Sequence, residues 1–261
     1  MGSHGPATRP ARQKVVARVS PMTLRERPDR MEVAGCALPE DRLYDLENDV
    51  WWAVDPEGGT ARLGILGSLG AFAGPIRALT FRPIEGSVGQ GRSVATIESS
   101  RFTGAVRVPV DSILVARNEE LVRRPRLLND APYTEGWVVR VRPARPQDPG
   151  AMLETASAIA GRLEQRIRTL RIHCWPATPD LELYEIGLEC SAVLSKLTEE
   201  LAGRAPGEAI LLVTDDPTSP IEMVRWSDQT GHPVLAHRKE GTLHHFLVRK
   251  EAEPKPRRRP V

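Results

Sequence analysis

Cys190 has the residue type and the local setting for covalent sulfur chemistry. The run 181–186 predicts a strand and 191–201 predicts a helix that Gly203 closes, so Cys190 lies where the strand turns into the helix. Amides and the dipole at a helix start favour an anion and lower the pKa of a thiol there. A thiolate is the nucleophile that sulfur transfer requires. The neighbouring carboxylate of Glu189 opposes the thiolate and should cancel part of that effect.

The other cysteines and the acidic pair give weaker signals. Three cysteines without an export signal fit a reducing cytosol and no disulfide framework, which predicts a cytoplasmic protein. Cys36 is interpreted as an incidental thiol, whereas Cys174, beside His173, is a candidate second thiol. No metal-ligand spacing occurs around them, so we expect no metal. Asp215 and Asp216 predict a turn and a helix cap rather than a catalytic dyad.

The distribution of lysine restricts the chemistry of the first half of the chain. The 36 basic residues are 31 arginines and five lysines, and no lysine lies between Lys14 and Lys196. Any domain in that interval therefore lacks a side-chain amine. The net charge of +2 argues against a general nucleic-acid binder. No apolar run of about 18 residues occurs, so the sequence predicts no membrane span.

Short β-rich runs punctuated by glycine and proline predict a β domain that positions the first set of landmarks. The runs lie at 62–66, 76–81, 93–97, 105–108, 113–116 and 137–141. Many short strands with regular turns favour a sandwich or flattened barrel. One short helix is predicted over 118–128.

A linker and a helix follow, and then an α/β segment. The helix at 151–170 has apolar residues at heptad spacing, which would suit a homodimer contact. The stripe is shorter than a coiled coil needs, so we favour a connector lying on one of the domains. The last segment reads β-α-β-α-β-β, a two-layer sandwich. The predicted division is an Arg/Pro-rich leader at 1–30, a β domain at 31–143, linker and connector helix at 144–178, an α/β domain at 179–250, and a basic tail at 251–261.

The β domain resembles the glycine cleavage H-protein family, a lipoyl-carrier fold. The resemblance rests on Leu38–Asp45, Trp51-Trp52, Glu98-Ser99, Pro109-Val110, Asn118-Glu119 and the closing pattern Asn129-x-x-Pro-Tyr-x-x-Gly-Trp137. In that family a lysine two residues after the Glu98-Ser99 pair carries lipoate at a hairpin tip. Arg101 occupies that position here, and a guanidinium cannot form the amide. We therefore expect no lipoate. Arg101 is interpreted either as an exposed turn residue or as an anion or partner contact.

The α/β domain resembles the TusA/SirA-like sulfurtransferase family. The resemblance rests on Gly187–Cys190, Ala205–Glu208, Asp215–Pro217, Thr230–His232 and Phe246–Lys250. It implies that Cys190 carries sulfane sulfur as a persulfide. The family's Cys-Pro-x-Pro motif reads Cys190–Val193 here, so both prolines are missing and the loop should be less rigid.

Two hypotheses of different classes follow. The first is a sulfur-relay protein that receives sulfur from a donor protein and passes it to an acceptor, with the β domain as a docking module for enzymes that recognise lipoyl carriers. The second is a non-catalytic adaptor or regulator built from two degenerate carriers. A lipoyl-dependent H-protein is the weakest alternative because of Arg101. Nucleic acid is not an expected partner apart from weak attraction to the basic tail at 251–261.

Overall fold

The computed structural model describes residues 30–145 and 152–254. Residues 1–29 of the predicted leader, 146–151 of the predicted linker and 255–261 of the basic tail lie outside the described residues. Within the described ranges no helix has the length and apolar character to cross a membrane.

The first domain is a β-sandwich, as predicted. Its strands are β1 (Arg30–Val33), β2 (Cys36–Pro39), β3 (Leu43–Asp45), β4 (Val50–Val54), β5 (Ala61–Ile65), β6 (Ile76–Phe81), β7 (Ser87–Val88), β8 (Ser93–Ser99), β9 (Thr103–Arg107), β10 (Ser112–Arg117), β11 (Trp137–Pro143) and β12 (Glu154–Thr155). A seven-stranded sheet in the order β12-β3-β4-β5-β11-β10-β7 packs on a three-stranded sheet, β6-β8-β9, while β1 and β2 form a separate hairpin. The apolar faces of the two larger sheets enclose one core.

Three short helices connect these strands: α1 (Gly67–Ala73), α2 (Glu120–Arg123) and α3 (Leu127–Asp130). The single helix expected over 118–128 is therefore interrupted. Pro125 explains the break, because proline disfavours helical geometry in the residue before it, and Arg124 has φ −132° and ψ 64°.

Helix α4 (Ala156–Thr169) lies on the outer face of the seven-stranded sheet. Thr155 caps it by accepting a hydrogen bond from the Ala158 amide. Its apolar stripe of Ile159, Leu163 and Ile167 is buried in a second core with the β1–β2 hairpin. Leu163 and Ile167 of the heptad stripe thus pack on the first domain, whereas Leu170 at the end of the stripe is exposed.

The second domain is the predicted two-layer α/β sandwich. Its elements are β13 (Leu181–Glu185), α5 (Cys190–Ala202), β14 (Ala209–Thr214), α6 (Ser219–Thr230), β15 (Val234–Glu240) and β16 (Leu243–Arg249). The sheet order is β13-β14-β16-β15, with β13 parallel to β14 and the other pairs antiparallel. Both helices cover one face. Trp175 and Ala177 of the linker contribute to the apolar cluster on the other face.

Candidate functional site

Cys190 begins α5 directly beyond the end of β13, where the sequence placed it. Gly187 turns the chain between them with φ +73°, a conformation that favours glycine. Glu189 is the extended residue before the helix and forms no side-chain cap. The Cys190 side chain is buried, and this cysteine is free.

Two aspartates from the end of β14 hold the Cys190 loop in place. Asp215 accepts a hydrogen bond from the Gly187 amide, and Asp216 accepts one from the Cys190 amide, both at 2.8 Å. Asp216 also accepts from the amide and the hydroxyl of Thr218, at 2.7 and 2.6 Å. These bonds fix a loop that lacks the family's prolines.

Asp216 is the residue of this site that sequence reasoning missed, since it was interpreted only as part of a turn and a helix cap. The signal was present, because β13 and β14 are parallel neighbours. The residues after two parallel strands meet at the same edge of a sheet. Parallel pairing of β13 and β14 therefore places the loop after β13 next to the aspartates after β14.

The pKa of the Cys190 thiol is raised, so the expected drop is wrong. Burial is the main cause, and the carboxylates of Asp216 and Glu222 add to it, while hydrogen bonding by the Thr218 side chain lowers the pKa. The carboxylates responsible are not that of Glu189, which was expected to oppose the thiolate. Burial and two facing carboxylates thus outweigh the position at a helix start.

Cys36 and Cys174 form a disulfide, which corrects two expectations. The Cα atoms are 5.0 Å apart although the residues are separated by 138 positions. Cys174 is therefore not a second thiol, and Cys36 is not an incidental one. The bond joins β2 to the segment after α4, so the linker is attached covalently to the first domain.

The hairpin between β8 and β9 carries Arg101 at its tip, with Glu98 exposed on β8. Ser99 shapes the tip: its hydroxyl donates to the Ala73 carbonyl at 2.7 Å and accepts from the Phe102 amide at 3.1 Å. Arg101 does not extend freely into solvent. Its guanidinium forms an ion pair with Glu182 of β13 at 2.9 Å. Arg101 is thus an exposed residue at the hairpin tip, as one interpretation has it, and it also contacts an acidic residue of its own chain, which neither interpretation named.

The two candidate sites lie at opposite ends of β13. Glu182, near the start of the strand, meets Arg101, and Cys190 follows the other end of the strand after a short loop. A cavity of about 1010 Å³ lies between the domains and is lined by Arg101, Glu182 and Tyr184 among others, but Cys190 is not part of its wall. The structure therefore does not bring the thiol to the former lipoyl position. Among the described residues no cluster of potential metal ligands occurs.

Comparison with known proteins identifies both domains. The profile of the glycine cleavage H-protein family matches residues 42–166, and that of sulfurtransferase TusA matches residues 185–250. The profile of the first family thus extends into α4, the helix packed on the first domain.

Individual relatives agree with the first of these matches. The chain is 38% identical to glycine cleavage system H protein 5 of Aquifex aeolicus over 146 residues, which are 55% of this chain and 98% of the relative. It is 34% identical to H protein 2 of the same organism, covering 55% of this chain and 88% of that relative. The crystal structure of an H protein from Mycobacterium marinum aligns with a TM-score of 0.42 at 25% identity, covering 48% of this chain and 98% of the other.

Proposed function

We propose that this chain, which belongs to the glycine cleavage H-protein family and is fused to a TusA domain, is a sulfur-relay protein. In this proposal Cys190 carries the sulfane sulfur. The supporting observation is the setting of that thiol. Cys190 is a free cysteine within the matched TusA segment, at the strand-to-helix junction, and two aspartates hold its loop.

The proposed loading step transfers one sulfur atom. The Cys190 sulfur attacks the outer sulfur of a donor persulfide, a new S–S bond forms at Cys190, and the donor's S–S bond breaks. The thiol proton of Cys190 ends on the donor's departing sulfur, so the products are the Cys190 persulfide anion and a donor thiol. An acceptor thiol then attacks the outer sulfur of the Cys190 persulfide anion, the S–S bond at Cys190 breaks, and the acceptor's proton ends on the Cys190 sulfur. The products are the acceptor persulfide anion and the Cys190 thiol. Neither step has a net oxidation.

The raised pKa defines when this carrier reacts. A buried thiol facing Asp216 and Glu222 stays protonated near neutral pH and is a poor nucleophile towards general oxidants. A donor that displaces water and brings positive charge beside these carboxylates would favour the thiolate. We therefore propose that loading depends on docking of a donor protein.

The first domain serves in this proposal as the docking module, including for enzymes that recognise lipoyl carriers. Arg101 supplies no amine for lipoate. The proposal places the protein in the cytoplasm. Disulfides are rare there, and this bond is buried on the side of Cys36, which is only 1% exposed, while Cys174 is partly exposed at the interdomain cavity.

Intact-protein mass spectrometry tests the proposal. The full chain is incubated with a cysteine desulfurase and cysteine, or with polysulfide, and then digested without reductant. One added sulfur on Cys190, absent from the Cys190→Ser variant, is expected. No added sulfur with either donor, or equal loading of the variant, would overturn the carrier role. Lipoate on the intact protein would overturn the account of the first domain.

A non-catalytic adaptor is the second candidate, and the same raised pKa favours it. A thiol that stays protonated and lacks the family's two prolines is the expected state of a degenerate carrier. If the protein is an adaptor, the Cys190→Ser variant should bind the partners as tightly as the wild type does, and the wild type should never acquire sulfur.

A further inference from the structure

Two arginines of the first domain hold one strand of the second. Arg101 pairs with Glu182 at 2.9 Å, and Arg126 pairs with Asp180 while also donating to the Thr178 carbonyl at 2.7 Å. The Asp180 side chain is only 11% exposed, so this second pair is partly withdrawn from solvent. We call these two ion pairs the interdomain clamp.

The alternation of β13 explains why its acidic residues reach the first domain. Leu183 packs into the core beneath the helices, and buried Glu185 pairs with Lys196 of α5. Glu182 and Tyr184 must then emerge on the opposite face, and both line the interdomain cavity. β13 is also an edge strand of its sheet. Charged side chains on an edge strand discourage pairing with another chain, and Glu182 is such a residue, held by the first domain.

Backbone carbonyls at the end of α1 bind the Arg101 guanidinium within the first domain. Its Nε donates to the Phe72 carbonyl at 3.2 Å, at the carboxyl end of α1, where a positive charge is favoured. Gly74 lies beneath it with φ +71°, and a Cβ there would be 3.1 Å from Nε. The planar guanidinium therefore bonds the helix end and Glu182 simultaneously. A lysine ammonium is a compact charge without this fork of donors.

We propose that the former carrier position has become a docking contact whose partner is the acidic edge strand of the chain's own second domain. The clamp holds β13 at its beginning, and the thiol of Cys190 lies beyond the other end of the strand. An external protein that binds the tip must compete with Glu182. The proposal does not depend on sulfur transfer, because it rests on contacts that Cys190 does not share.

The first test measures Arg101 in the first domain while Glu182 in the second domain is substituted. In the full-length chain, NMR measures how fast the Arg101 Nη–H protons exchange with water, because Nη1 donates to Glu182 at 2.9 Å. Glu182→Gln should accelerate exchange roughly fivefold, since an exposed ion pair contributes up to about 1 kcal/mol. Glu199→Gln, an exposed carboxylate on α5, is the matched control and should change nothing. Equal exchange in the wild type and Glu182→Gln would overturn the proposal.

The second test asks whether the clamp fixes the orientation of the domains. Residual dipolar couplings of both domains should fit one alignment tensor in the wild type and two in Asp180→Asn/Glu182→Gln. Asparagine at 180 can still accept the Ala209 amide hydrogen bond, so the second domain keeps that contact. Two tensors in the wild type, or one in the double variant, would contradict the clamp.

Discussion

The hairpin tip of the first domain lacks the one lysine of its family's pattern and the Cys190 loop of the second domain lacks two prolines, and different contacts stand at the two places. At the tip, the substituted residue Arg101 found its partner 81 positions away in the other domain. At the Cys190 loop, Asp215 and Asp216 of the same domain bond the amides of Gly187 and Cys190, just before the positions of the missing prolines. The first change altered how the domains fit together, and the second kept one thiol in place.

The largest expected effect concerns the Cys36–Cys174 disulfide, which attaches the linker to the first domain. Replacing both Cys36 and Cys174 by serine should lower the free energy of unfolding of the first domain by about 2–4 kcal/mol, because the bond closes a very long loop. Urea denaturation followed by tryptophan fluorescence measures this. The Cys190 alkylation rate is the internal control and should not change, since its pKa depends on groups of the second domain. An unchanged unfolding midpoint would show that the bond does not stabilise the fold.

The second effect tests the thiol loop by charge. Asp216→Asn should lower the pKa of Cys190 and accelerate alkylation at pH 7.5 by about three- to tenfold, because the facing carboxylate disfavours the thiolate. Glu189→Gln is the matched control and should change the rate less than about twofold. A larger effect from Glu189 than from Asp216 would reverse the assignment of the acidic neighbour.

The pH dependence of the same reaction has a definite sign. Because the pKa of the Cys190 thiol is raised above its ordinary 9.0, the thiolate fraction in the wild type should increase by about tenfold per pH unit between pH 7 and 9. The profile of Asp216→Asn should lie at lower pH. An alkylation rate that is already flat at pH 7 would indicate a lowered pKa instead.

A smaller effect tests the loop through its hydrogen bond. Asp215→Ala removes the acceptor of the Gly187 amide, and we expect a loss of about 0.5–1.5 kcal/mol in the stability of the second domain. Thermal unfolding measures it. Asp215→Asn, which keeps an acceptor oxygen, should recover most of the loss.

The smallest effect is expected at the tip itself. Arg101→Lys keeps the charge but loses the fork of donors, and an exposed ion pair of this kind contributes at most about 1 kcal/mol. Denaturation of this variant beside Arg77→Lys, an exposed arginine on β6, separates the contact from a general effect of lysine. If Arg101→Lys lowers the free energy of unfolding by several kcal/mol more than Arg77→Lys does, the hairpin tip stabilises the whole chain and the expected limit of about 1 kcal/mol is wrong.

The sequence predicts the parts of this molecule that depend on short-range pattern. Alternation along 137–142 predicted a strand, and the apolar runs around Cys190 placed the thiol at a strand-to-helix junction. Local pattern cannot place residues that are distant in the chain. The Cys36–Cys174 bond and the Arg101–Glu182 pair depend on how α4 and the linker return across the first domain.

The pKa of Cys190 could be predicted only in part. The helix position is visible from the sequence and favours the thiolate. The opposing contributions come from burial and from Asp216 and Glu222, which tertiary packing brings to the sulfur. A carboxylate adjacent in sequence, Glu189, was therefore the wrong neighbour to consider.

The disulfide also determines how the protein would bear a mechanical load. When the two ends of the chain are pulled, tension entering through β1 passes from Cys36 directly to Cys174, and the intervening chain is bypassed. The sandwich and α4 would keep their structure while the second domain, which begins only a few residues later, extends first. Reduction would return the bypassed length to the path, so the contour length released on unfolding reports the redox state of this one bond.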